Sequence, residues 1–204
     1  LFQVSMNVPR IVGYILSYCY ESKIVYDKKI NLTDIENATQ RYYEDNLSTF
    51  FLEIRISTVS INEKVNVLEL ERLLKEIIVR LEAIKDKIVK KELTGTNYDP
   101  KNPCTTHFYF SPELEPYLAT LELNFFISKY NVLSDKDGNE SSIYCINYGL
   151  AKKMNFYWGM PKNVANPRKY FIERPFDFNN LVVDFFKNTK SIHCSNSECN
   201  RIFT

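Results

Sequence analysis

The sequence has few glycines, only two histidines and almost no net charge. Its five glycines, at positions 13, 95, 138, 149 and 159, cannot form the G-x-x-x-x-G-K-[ST] loop that cradles phosphates. Neither histidine has a Ser or Cys triad pattern around it. A net charge of +1 excludes a strongly basic chain, so any contact with nucleic acid has to come from a local patch. Hydrolytic and redox chemistry are therefore unsupported, and a binding role is favoured.

Long hydrophobic runs and a signal peptide are also missing from the sequence. We therefore expect a cytoplasmic protein with no membrane partner. The five cysteines are odd in number and widely scattered, which excludes a disulfide framework. The chain begins at Leu1 without a methionine and ends at Thr204 just after a cysteine pair, so we expect a piece of a longer protein.

The strongest local pattern lies between Ser111 and Ala151, where a helix, a tight hairpin and a return strand follow one another. Ser111-Pro112-Glu113 is typical of a helix start, with a hydroxyl cap, an early proline and a carboxylate at the positive helix end. Asp137-Gly138 suits a hairpin turn between two β-branched and aromatic segments. With a strand over residues 107–110, this order resembles a winged-helix domain, although only one clear helix precedes the hairpin where two are usual. His107, inside that strand, is expected to be structural.

Helical patterns dominate the residues before this stretch. Asn7 is expected to cap a first helix that starts at Pro9, and a capping box of Thr33 and Glu36 predicts a second helix over residues 34–46. Residues 50–60 are expected to be partly extended. The longest helix carries a heptad seam, widened by two further apolar residues, that favours packing within the chain over a coiled-coil dimer. The seam and the two widening residues are Val67, Leu70, Leu74, Ile77, Leu81, Ile84 and Ile88, with Leu73 and Ile78.

The remaining segments are shorter and are separated by helix breakers. Gly95, Pro100 and Pro103 predict a linker. Short strands are expected over residues 155–158 and 169–173, and a short amphipathic helix over residues 176–186.

The segment Asn7-Val8-Pro9-Arg10-Ile11-Val12-Gly13-Tyr14-Ile15-Leu16 resembles the sensor 2 helix in the lid of AAA+ ATPases, especially the origin-recognition-like and STAND branches. In that family a lid arginine reaches the γ-phosphate of the nucleotide, which implies a nucleotide-sensing role for Arg10. The helix at Thr33 is similar to the next lid helix, and the family has a winged-helix domain after its lid. The resemblance implies an ATP-binding core upstream of Leu1. The alternative for Arg10 is a solvated arginine near a helix start.

A candidate metal site lies near the end of the chain. Cys194 and Cys199 are separated by four residues, a pattern typical of half a zinc ribbon, and His193 adds a third candidate ligand. A structural zinc site needs four ligands, so we expect a truncated site whose zinc would bind only in the full-length protein. The alternative is that the pair is idle. No cofactor is expected in this chain by itself.

Candidate contacts with DNA or a protein partner come from lysines around the hairpin. The helix after Ser111 offers Glu113, Glu115 and Glu122 but no Lys or Arg, so sequence-specific readout in a major groove is disfavoured. Positive charge lies on the hairpin and after it instead. The candidate contact residues are Lys129, Lys136, Lys152 and Lys153, with Lys162, Arg168 and Lys169 beyond them. The alternative is that these lysines are a solvated face.

We therefore predict an α+β chain in three parts. These are a lid-like helical region over residues 1–93, a winged-helix-like module over residues 104–190 and a partial zinc-ribbon tail over residues 191–204. The leading hypothesis is a non-catalytic regulatory C-terminal region of an AAA+-like ATPase. It would contact the upstream core and a macromolecular partner, and the sequence is compatible with an oligomer. The alternatives are a free-standing winged-helix protein with non-specific DNA backbone contacts and a protein-interaction module.

Overall fold

The computed structural model describes residues 1, 3–56, 61–92, 105–158, 176–190, 192–193 and 202–203, and these form a mixed α+β fold. The helices are α1 (Pro9–Ser22), α2 (Leu32–Tyr42), α3 (Phe50–Ile56), α4 (Ile61–Val89), α5 (Glu115–Leu123), α6 (Tyr148–Lys153) and α7 (Asn179–Lys190). The strands are β1 (His107–Phe110), β2 (Ile127–Ser134), β3 (Glu140–Ile146), β4 (Phe176–Asp177), β5 (Ile192–His193) and β6 (Ile202–Phe203). The α+β class predicted from the sequence is confirmed. Among these helices, none is long and apolar enough to cross a membrane.

Four strands form one sheet in the order β2-β3-β1-β4. β3 pairs antiparallel with both β2 and β1, and β4 lies parallel to β1. The predicted hairpin between β2 and β3 is confirmed. Its turn is held by Asp135, whose Oδ1 accepts the backbone N–H groups of Asp137 and Asn139 at 2.8 Å each. Gly138 has a φ of +84°, a conformation that favours glycine. β5 and β6 pair antiparallel with each other in a separate ladder.

The long helix α4 buries the middle of its predicted seam inside the chain. Leu73, Ile77 and Leu81 are fully buried, and Leu74 and Ile84 are nearly so. α4 contacts α3, α5 and α7. Because the seam is covered by the chain's own elements, the prediction of intramolecular packing is confirmed.

The short helix α6 connects the N-terminal helices to the sheet, because it packs directly on α2. Gly149 makes the close approach possible: a Cβ at this position would overlap the Thr39 carbonyl oxygen and lie 2.7 Å from Tyr43 Cβ. Glu36 on α2 accepts a hydrogen bond from Tyr148 Oη at 3.2 Å and forms an ion pair with Lys152 Nζ at 2.7 Å. Buried residues of these helices and of the sheet belong to one hydrophobic core.

Two predicted helix starts are wrong in detail. Asn7 does not cap α1; its φ is +60°, and Val8 occupies the cap position without a side-chain hydrogen bond. The capping box of α2 consists of Asn31 and Asp34 and not of Thr33 and Glu36. The Asp34 carboxylate also lies 2.8 Å from Lys23 Nζ. α2 begins at Leu32, two residues before the predicted start. α2 ends at Tyr42, and a π-helical turn (Tyr43–Leu47) replaces the predicted last turn.

Other local predictions fail where tertiary contacts decide the conformation. Residues 50–56 are helical because this conformation stacks Phe51 on Phe126, with ring centroids 5.0 Å apart. The predicted strand at 155–158 is absent, and Tyr157 instead exchanges hydrogen bonds with Thr105.

Two helices, α5 and α7, start later than the sequence predicts. After Ser111 the chain forms a 3₁₀ turn (Pro112–Leu114) before α5, which has Pro116 in its first turn. Phe176 and Asp177 pair with β1, so α7 begins at Asn179. The predicted linker and the predicted strand at 169–173 lie outside the described residues.

Candidate functional site

Arg10 lies in the first turn of α1 with an exposed side chain. Burial raises the pKa of Tyr42 on α2, and the positive charge of Arg10 offsets part of that rise, so the guanidinium lies near this phenol. Tyr42 also packs on Tyr14, with ring centroids 5.2 Å apart. Within the described ranges no ion pair involves Arg10. The guanidinium can therefore bind an anion from outside the chain.

Within the described part of the chain, the side of α1 that carries Arg10 is exposed from the first turn of the helix to its last turns. α1 buries Ile11, Ile15 and Cys19 on its inner side. Five of its exposed residues form what we call the α1 outer face: Arg10, Gly13, Leu16, Ser17 and Tyr20. The other exposed residues of α1 are Pro9, Glu21 and Ser22, and Glu21 pairs with Arg41. A Cβ added at Gly13 would meet no atom within 4 Å. Glycine inside a helix costs about 0.5–1 kcal/mol relative to alanine, and no close contact within the described chain accounts for it.

Lys129, the first candidate contact residue, is committed to an internal network. Its Nζ lies 2.6 Å from Glu115 Oε1, and its backbone N–H donates to Glu122 Oε1 at 3.2 Å. Ser142 Oγ also donates to Glu115. The hydrogen bonds from Lys129 and Ser142 lower the pKa of Glu115 below its ordinary value. This network ties α5 to the hairpin and leaves Lys129 poorly placed to reach a phosphate.

Lys152 and Lys153 are also used inside the molecule. Lys152 pairs with Glu36 across the contact between α6 and α2. Lys153 Nζ lies 3.8 Å from Glu44 and 5.7 Å from the ring centroid of Tyr43. Lys136, by contrast, is exposed in the turn of the hairpin and has no ion pair in the part of the chain that the structure describes. The structure therefore does not bring the four lysines into one free basic patch.

The candidate metal ligands Cys194 and Cys199 lie outside the described residues, and only the backbone of His193 is described, in β5. Among the residues whose placement is described, no group of three or more His, Cys, Asp or Glu could hold a metal ion. Cys19 and Cys145 are both buried.

His107 on β1 is buried. Its Nδ1 lies 3.0 Å from Thr106 Oγ1, and its ring packs edge-on against Tyr130 and Trp158 at 5.2 Å. Burial lowers the pKa of His107 to about 3, so the imidazole is neutral at physiological pH. The neutral imidazole is thus enclosed between aromatic rings in the interior of the described fold.

The sequence interpretation missed an exposed apolar surface between α1 and α2. We call residues 24–33 the apical loop; it includes the first two residues of α2, and every one of its ten residues is exposed. Its large apolar side chains are Ile24, Val25, Tyr26, Ile30 and Leu32. The sequence does contain a pattern for this surface, three apolar residues from Ile24 that are followed by Asp27 and two lysines. The pattern lies in a connection between two predicted helices, where exposed apolar side chains are not expected.

Comparisons with models of known protein families, with curated proteins and with solved structures find no match to this chain.

Proposed function

We propose that the chain is a non-catalytic regulatory region of an AAA+-like ATPase, in which lid-like helices sense the nucleotide of a P-loop core and a winged-helix-like module contacts a protein partner. The observation that carries this proposal is the α1 outer face. It presents Arg10, which has no ion pair among the described residues, beside apolar side chains and an unobstructed glycine. A partner surface that packs along this face would bring bound phosphates within reach of Arg10.

The order of strands supports the winged-helix-like part of the proposal. A first strand pairs with the return strand of a hairpin, and α5 lies between that first strand and the hairpin, so that β2, β3 and β1 are neighbours in that order. α4 precedes this unit and packs on it. The unit differs from the usual pattern because a 3₁₀ turn stands where a second helix is common.

Charge favours a protein over DNA as the partner of this module. α5 carries Glu115 and Glu122 and no Lys or Arg, and the lysine nearest to them is neutralised by Glu115. A DNA-binding surface needs basic side chains that can reach phosphates. Lys136 is the only one of the four candidate lysines without a described ion pair.

The chain has no phosphate-binding loop, so ATP would be held by the core, and the contribution of this chain would be the positive charge of Arg10. The experiment measures steady-state ATP hydrolysis by a protein that joins this chain to a P-loop core. Arg10→Ala should lower turnover on the order of 100-fold, the size of effect seen when one preorganised donor to a developing negative charge is lost.

The matched control for this experiment is Arg80→Ala, which removes an exposed arginine from α4. It should leave turnover unchanged, and circular dichroism should report intact folding for both variants. Equal turnover of the Arg10→Ala and Arg80→Ala proteins would remove the sensing role.

A further inference from the structure

The apical loop presents bulky apolar side chains to solvent at the end of the α1–α2 pair. It opens with a 3₁₀ turn (Ile24–Tyr26), and Asp27 then adopts a left-handed conformation with a φ of 53°. Val25, Tyr26 and Leu32 are 58%, 67% and 66% exposed. No described element covers these neighbouring apolar side chains, so their contact with water is unfavourable in free energy. An exposed apolar patch of this kind marks an interaction site.

The size of this surface argues against a large protein interface. Five partly exposed apolar side chains offer on the order of 400 Å² of apolar area. One partner in a standard stable protein complex contributes about 800 Å² and needs close shape complementarity. A bilayer surface needs neither, because lipids rearrange around inserted side chains.

The charges of the loop favour an anionic surface. Lys23 and Asp34 neutralise each other at 2.8 Å. The charged residues that remain, Asp27, Lys28 and Lys29, have no ion pair in the described part of the chain, so the loop carries one excess positive charge. Lys28 Nζ lies 5.9 Å from the ring centroid of Tyr26, which holds a cation beside an aromatic ring that suits the lipid headgroup region.

We propose that the apical loop is a peripheral membrane contact, in which Val25, Tyr26 and their apolar neighbours enter the headgroup region of an anionic bilayer and Lys28 and Lys29 bind lipid phosphates and carboxylates. The sequence suggested no membrane partner because no run is long enough to span a bilayer. A peripheral contact needs no spanning run, because its strength comes from the apolar area that enters the interface and from lysines near anionic lipids, each worth about 1 kcal/mol. It goes beyond the proposed regulatory function and does not depend on it.

The experiment measures co-sedimentation of the whole chain with vesicles of phosphatidylcholine alone and of phosphatidylcholine mixed with phosphatidylserine. The chain should bind the mixed vesicles more tightly, and added salt should weaken that binding. Val25→Asp should lower the partition coefficient at least about tenfold, since a carboxylate replaces an inserting apolar group. Asp27→Asn keeps a residue that tolerates the left-handed conformation and should raise binding to mixed vesicles about fivefold, because the net charge of the loop increases by one.

Leu52→Asp is the matched control, because Leu52 on α3 is as exposed as Val25, at 55%. It should bind vesicles as the unchanged chain does. The proposal is overturned if the unchanged chain binds neither vesicle, if Val25→Asp and Leu52→Asp lower binding equally, or if Asp27→Asn has no effect on binding to mixed vesicles. Self-association that Val25→Asp abolishes, without vesicle binding, would instead identify the loop as a contact between copies.

Discussion

At the scale of a single residue, His107 couples the fold to pH. Its pKa in the folded chain is about 3, whereas the ordinary value is 6.5. As the pH falls below 6.5, the unfolded chain takes up a proton that the folded chain refuses until about pH 3. Stability is therefore lost as the pH falls through this window, with a limit of about 1.4 kcal/mol per pH unit.

We expect the free energy of unfolding to fall by about 2 kcal/mol between pH 7 and pH 5 through His107 alone. His107→Phe keeps a ring that can pack against Tyr130 and Trp158 and removes the titrating group. Urea unfolding of both proteins at the two pH values measures the difference. A fall of the same size in His107→Phe would show that other groups, and not this imidazole, set the acid response.

At the scale of elements, the contact between α2 and α6 depends on a missing side chain. Gly149→Ala should lower the free energy of unfolding by about 1–3 kcal/mol, because the new methyl group meets backbone and Cβ atoms that cannot move easily. Gly13→Ala is the matched control and should raise it by about 0.5–1 kcal/mol, since that position is open and alanine favours a helix. Thermal or urea unfolding compares the two variants. Opposite signs are expected, and a shared sign would contradict the packing described for α6.

What the sequence could predict at this scale was local. The heptad pattern of α4 and the Asp137-Gly138 turn are properties of neighbouring residues, and both predictions are confirmed. Glu36 was assigned to a capping box because Thr33 stands three residues before it. In the structure it binds Tyr148, 112 residues away in the chain, and a contact at that distance leaves no local pattern. The helical conformation of residues 50–56 could not be predicted either, because it depends on the contact of Phe51 with Phe126, which is distant in the chain.

The candidate site residues also divide into those that local sequence identifies and those whose state depends on contacts distant in the chain. Arg10 can be singled out from the sequence because its neighbours resemble a lid helix. The sequence does not reveal the ion pairs of the candidate lysines, which are Lys129 with Glu115, Lys152 with Glu36 and Lys153 with Glu44. Each ion pair joins residues of different helices or strands, so charge counting along the sequence treated these lysines as free.

At the scale of the whole molecule, these pairings set what the chain can do with DNA. A nearly neutral chain with one unpaired candidate lysine on its hairpin should bind duplex DNA weakly and without sequence preference, and only at low salt. Lys136→Gln should lower the dependence of log affinity on log salt concentration by about one unit. Fluorescence anisotropy titrations over a range of salt concentrations measure this slope.

Lys153→Gln serves as the comparison for the DNA titration. Its ammonium group already lies near Glu44 and Tyr43, so its loss should leave the slope nearly unchanged. Equal reductions by the two substitutions would indicate that Lys153 leaves its internal partners to bind phosphate. Tight, sequence-selective binding would contradict the charge argument altogether.

The register shift in β2 affects whether two copies of the molecule can associate through the edges of their sheets. Among the described strands, β2 lies at one edge of the four-stranded sheet, and an edge strand can recruit a strand from another molecule. Here the irregularity between Lys129 and Asn131 disrupts that edge, and the Lys129 N–H is already donated to Glu122. The opposite edge, β4, is two residues long. In the described part of the sheet, neither edge therefore offers a long, regular template for intermolecular sheet extension, the first step toward fibrous aggregates.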